Sequence, residues 1–173
     1  MRRRWRPRRL RVDLGQCGDR PPFAYCGMVS PLPWNIGFAV GHPEIDAQHR
    51  HLVVLINEII AAVEQKALEK LPVMLTGLAH AASEHFLAEM ATLNELLSGT
   101  HHSVRGRPRT PRLAKALAAV RLEEHRAQHG ALVNRLNDLG ALPPHVLCAH
   151  LKDWFVDHAI KLDSGLRAVF QAI

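Results

Sequence analysis

Residues 43–65, PEIDAQHRHLVVLINEIIAAVEQ, place apolar side chains at Ile45, Leu52, Val53, Ile56, Ile59, Ile60 and Val63. That three-to-four-residue recurrence is one face of an α-helix, and Pro43 suits its first turn. A histidine, His49, lies in line with Leu52, Val53 and Ile56 on the same apolar face. The stretch therefore predicts an amphipathic helix that carries an imidazole toward a core. The rest of the chain can be tested for partners of the same kind.

Three further helices are expected. Met74, Leu78, Ala82, Phe86, Leu93 and Leu96 predict one over about residues 71–97. The run SGTHHSVRGRPRTP, residues 98–111, breaks the periodicity with glycine, proline and arginine and reads as an exposed loop. A third helix fits about 112–139, closed by Gly140 and followed by Pro143 and Pro144. The fourth starts near Pro144 and carries Leu147, Leu151, Trp154, Phe155, Ile160, Leu162, Leu166 and Phe170. No segment of any length shows strand alternation. An all-α, up-down-up-down four-helix bundle over residues 34–173 is expected, preceded by a basic, disordered extension at 1–33.

Composition narrows the function. The 173 residues suffice for one domain with a sizeable core. The net charge of +6 would suggest a nucleic-acid partner, but it sits in residues 1–20, where eight arginines face two aspartates. Residues 21–173 hold 14 basic and 14 acidic residues, so the folded body is formally neutral and nucleic acid is not expected as a partner. Three cysteines without CxxC spacing (Cys17, Cys26, Cys148) suggest neither a disulfide framework nor a zinc ribbon, which fits a reducing compartment. With no apolar run of spanning length and no secretory h-region, the expectation is a cytoplasmic protein without a membrane span; its oligomeric state is open, with a monomer favoured.

The histidines carry the chemistry. HFLAE sets His85 and Glu89 at i, i+4 on the second helix, and HRAQH sets His125 and His129 likewise on the third. WFVDHAIKLD, residues 154–163, adds His158 and Asp163 at a five-residue step, about 140° apart on a regular helix. A single π-type turn between them would bring the two together, and such turns favour functional sites. Five imidazoles and two carboxylates converging on a bundle axis would be costly without a partner. Without thiolate they suit first-row cations such as iron, manganese or zinc, and seven ligands serve two ions better than one. Phe86, Leu52, Trp154 and Phe155 flank the seven and should wall a dry pocket.

The order of VGHPEIDAQHRHL after Trp34, then HFLAE, HRAQH and WFVDHAIKLD, resembles the hemerythrin family, in particular the bacteriohemerythrins, over residues 34–173. The resemblance implies a non-haem di-iron centre, oxo- or hydroxo-bridged, that binds O₂ reversibly for storage, delivery or sensing and is not an enzyme. It implies that His125, His129 and His158 hold one iron and His49 and His85 the other, with Glu89 and Asp163 bridging. The imidazole-rich shell favours a return to the ferrous state, which argues for a carrier. The alternatives are an enzyme acting on peroxide or nitric oxide, an iron-repair activity, or a sensor signalling to a separate partner. Two departures stand out. Phe155 and Ala159 replace the family's usual leucine and isoleucine, and the span from His85 to His125 is longer than usual.

Overall fold

The computed structural model describes residues 30–106, 110–119 and 122–173. Within them the chain is all-helical: α1 (Pro43–Glu64), α2 (Leu71–Ser98), α3 (Pro111–Ala119), α4 (Leu122–Leu139), α5 (Pro144–Val156), a π segment (Asp157–Leu162) and α6 (Ser164–Phe170). Short 3₁₀ turns at Ile36–Phe38 and Leu68–Lys70 precede α1 and α2. Residues 1–29 of the basic extension lie outside the described set. Of its last four residues, Leu32 is buried, and its backbone N–H and C=O both bond the amide of Asn57 on α1.

The helix ends follow local chemistry. Pro43 opens α1, with Glu44 and Asp46 in the first turn, where carboxylates favour the positive end of the helix dipole. Gly99 closes α2 in the left-handed region at φ 74°, a conformation that glycine adopts without a Cβ penalty. The expected third helix is seen as α3 and α4, with residues 120–121 between them outside the described set.

Helix α1 packs against α2 and α5, and α4 packs against the same two; α3 rests on α6. Two apolar clusters form. The larger gathers Leu52, Ile56, Leu78, Leu136, Leu147, Leu151 and Trp154; the smaller gathers Val40, Ile45, Leu93, Leu96, Leu117, Leu166 and Val169. Each fully buried aliphatic side chain contributes roughly 1.5–3 kcal/mol. The chain enters the clusters in a regular order. On α1 the smaller comes first and the larger second; α2 reverses this, α4 runs into the larger, and the α5–α6 stretch returns to the smaller. The seven polar residues singled out by the sequence stand where each helix passes from one cluster to the other.

The 98–111 run is not wholly exposed. Val104 joins the smaller cluster and His101 is buried beside His42, whose ring lies 4.9 Å from Phe170. The Gly99 cap turns the chain back over the end of α2, and this tucks two side chains of a polar stretch inward. No described helix is long and apolar enough to cross a membrane.

Candidate metal centre

Each of His49, His85, Glu89, His125, His129, His158 and Asp163 is buried, and four of them, His49, Glu89, His158 and Asp163, have no exposed surface. Their ligand atoms fall into two groups. His49, His85, Glu89, His158 and Asp163 make one; Glu89, His125, His129 and Asp163 make the other, and within each all atoms lie within 4.8 Å of one another. Both carboxylates belong to both groups. The cluster can hold metal.

The i, i+4 spacing works as expected on α2 and α4. His85 Nε2 lies 3.5 Å from Glu89 Oε2, and His125 Nε2 contacts Glu89 Oε1, which also lies 3.6 Å from His129 Nε2. The five-residue step is resolved by the π segment. Asp163 N–H donates to the His158 carbonyl at 3.2 Å, five residues back, and Asp163 Oδ2 comes within 3.1 Å of His158 Nε2. The expected widening of the helix is present, and it delivers carboxylate and imidazole to one place.

His158 stands between the two ligand sets expected from the sequence. Its Nε2 lies 2.8 Å from His85 Nε2, and its ring lies 5.4 Å from that of His49 and 5.5 Å from that of His129. Asp163 Oδ2 lies 3.1 Å from both His49 Nε2 and His158 Nε2.

Two outer contacts that the sequence did not single out fix ring orientations. His49 Nδ1–H donates to the Phe38 carbonyl at 2.6 Å, and His85 Nδ1–H to Gln48 Oε1 at 3.0 Å. Both oxygens only accept, so Nδ1 carries a proton in each ring and Nε2 is the atom turned to the cluster. Such outer contacts set the tautomer and basicity of ligating histidines.

The electrostatics are those of a site built for positive charge. Burial, then the charge of Asp163, pushes the Glu89 carboxyl up to about 7, and burial likewise raises Asp163. Burial and neighbouring imidazoles lower His85, His129 and His158, leaving them neutral. Burial also depresses His49 and His125, but the nearby carboxylates of Asp163 and Glu89 outweigh it and raise both. Among the described residues, Glu89 Oε2, both Asp163 oxygens, His49 Nε2 and His129 Nε2 are buried without a hydrogen-bond partner. Some lie within 3.1 Å of one another, but not at hydrogen-bonding angles. Buried acceptors left in that state cost roughly 1–3 kcal/mol each. Cations coordinated at the cluster would satisfy them together.

Aromatic rings lie against the ligand cluster. Phe86 stacks on His129 at 4.1 Å and 11°, with its centroid 4.9 Å from His158. The Phe155 ring lies 6.0 Å from His49 and that of Trp154 6.5 Å from His158, while Leu52 is buried in the same apolar cluster. Trp154 Nε1–H donates to the Leu132 carbonyl at 3.0 Å, which satisfies the one polar atom of its side chain.

The π segment gives a sharp test of the geometry. Deleting Lys161, which is exposed, would set His158 and Asp163 four apart on a regular α-helix and keep them on one face. Inserting one alanine after Lys161 would turn Asp163 by about 100°. Metal content measured on both chains should be retained by the deletion and lost by the insertion.

Searches against protein-family models, curated proteins and solved structures return no match for this chain.

Proposed function

We propose that this chain is a hemerythrin-like, non-haem di-iron protein that binds O₂ reversibly. One observation carries the reading. Two buried groups of imidazole and carboxylate ligands share Glu89 and Asp163, which is how one protein holds two neighbouring cations. The order of the helices through the two apolar clusters supports an up-down-up-down four-helix bundle with the ligands in a layer across its middle.

Iron bound there would supply the electrons that O₂ binding draws on. The chain's own residues do the rest. His85, His129 and His158 present neutral imidazoles, so they bind a cation without first releasing a proton. Phe38 and Gln48 hold two rings in the tautomer that ligation needs. Among the described residues, Glu89 and Asp163 are the only acids in the two ligand groups, and both would be committed to metal. Phe86, Trp154 and Phe155 keep water and protons away from the centre, which favours release of O₂ over its reduction.

Anaerobic loading with Fe(II), metal counting and spectra through cycles of O₂ and vacuum test the proposal. Two irons and a reversible colour are expected. Irreversible bleaching with turnover of peroxide or nitric oxide would replace the carrier by the enzyme; zero or one iron would end the di-iron reading. Phe155→Leu opens space beside His49 and should change the rate of autoxidation several-fold. An unchanged rate would remove Phe155 from the pocket.

A further inference from the structure

Arg167 lies four residues beyond Asp163 on α6 and reaches across the chain to the turn before α1. Its Nε–H donates to the Ala39 carbonyl at 3.1 Å, and one Nη donates to the carbonyls of Gly37 at 2.8 Å and Ala39 at 2.9 Å. The same turn is gripped from the other side by Asp46 on α1. Its Oδ1 accepts from Val40 N–H at 2.7 Å and its Oδ2 from Gly41 N–H at 3.2 Å. A cation on the carbonyls and an anion on the N–H groups hold one short peptide by charge-assisted bonds at both ends of its dipoles. Phe38 lies between the two residues whose carbonyls Arg167 holds. Its carbonyl accepts from His49 Nδ1–H, and its ring lies edge-on to Phe155 at 5.1 Å.

We propose that Arg167 and Asp46 form a clip that sets the orientation of His49, which makes Arg167 a positioning residue for the metal centre. The proposal rests on reading the seven residues as that centre. The contacts close a circuit. His49 Nε2 meets Asp163 Oδ2 at 3.1 Å on its inner side, while its outer side is held by a carbonyl in the turn that Arg167 fixes. Both restraints thus trace to one helical turn, Asp163 at its start and Arg167 four residues on. The guanidinium makes three bonds to two carbonyls from a rigid fork, which a lysine ammonium cannot reproduce. If the clip opens, the Phe38 carbonyl loses its place and the His49 ring is free to turn its lone pair away.

Co²⁺ is a suitable probe, with the full chain in four forms: wild type, Arg167→Met, Arg167→Lys and Leu117→Ala. Leu117 contributes apolar packing alone to the smaller cluster, so its truncation lowers stability without removing a hydrogen bond of the clip. Arg167→Met should weaken Co²⁺ binding by about ten- to a hundredfold. It should also speed exchange of the Val40 amide and shift the His49 Nδ1–H resonance. Arg167→Lys should recover part of each effect, and it carries the test alone if the methionine variant does not fold. Leu117→Ala should melt earlier and keep all three readouts. Wild-type Co²⁺ affinity and an unmoved His49 resonance in the Arg167 variants would overturn the clip. If the wild-type chain binds no Co²⁺, the metal-centre reading falls. The clip is then judged on the metal-free chain, where an unmoved His49 resonance in Arg167→Met refutes it.

Discussion

Glu89→Gln is expected to abolish tight metal binding while making the metal-free chain more stable at alkaline pH. Glu89 is shared by both ligand groups, so its loss removes an anionic ligand from each. Removing one partner of a buried charge pair costs about 3–5 kcal/mol, or roughly 10²–10⁴ in affinity. The stability effect has the opposite sign. Burial raises the Glu89 carboxyl from 4.5 to about 7. A group whose folded pKa is raised stabilises fully below its unfolded value, and that contribution is lost as pH rises through about 7. A shift of this size corresponds to about 3 kcal/mol at most. Glutamine stays neutral throughout, so metal-free Glu89→Gln should melt several degrees above metal-free wild type at pH 8 and close to it at pH 5. Metal reverses the order. A cation at a hundred times its Kd adds about 2.7 kcal/mol per site to the wild type and nothing to the variant. Calorimetry at two pH values, with and without Fe(II) under anaerobic conditions, reads all four quantities. A Glu89→Gln chain less stable than wild type in the metal-free state would mean that Glu89 is a structural hydrogen-bonding group and not a ligand held at a cost.

How much of this was legible in the sequence depends on which forces wrote it. The bounds of α1 and α2 are close to those read from periodicity, because Pro43, Gly99 and the apolar stripes act locally. His85 with Glu89 and His125 with His129 were legible because i, i+4 spacing alone puts them on one face. His158 and Asp163 were legible as an anomaly, and the anomaly correctly predicted the π segment. The turn over residues 35–41 was not legible. The group that orients His49 there is a main-chain carbonyl, which every residue possesses, and the arginine that holds the neighbouring Ala39 carbonyl is 128 positions away. The burial of His101 and Val104 was hidden for a related reason, since a run rich in arginine and glycine reads as solvated until tertiary contact folds part of it inward.

Phe86→Ala should combine a large loss of stability with a wet metal centre, and the second effect separates a pocket wall from ordinary core. Truncating a buried phenylalanine costs about 3–5 kcal/mol through lost transfer energy and the cavity left behind. For a chain of this length that lowers Tm by roughly 10 °C. Phe170→Ala is the matched control. Phe170 is also buried, but it packs in the smaller cluster with its ring against that of His42. Both variants should lose comparable stability. Only at position 86 does the cavity open onto ligands, because that ring lies flat on His129 and reaches His158 and His85. A polar cavity beside neutral imidazoles would take up water, which competes for coordination and brings protons. Dissociation of Fe(II) and autoxidation should therefore both quicken by at least about tenfold in Phe86→Ala and stay near wild type in Phe170→Ala, a difference on the order of 1.4 kcal/mol in barrier height. Stopped-flow chelation gives the first rate and the decay of the O₂-dependent colour the second. Equal acceleration in both variants would trace the effect to lost stability alone, and the aromatic layer would then be core packing with no part in guarding the metal.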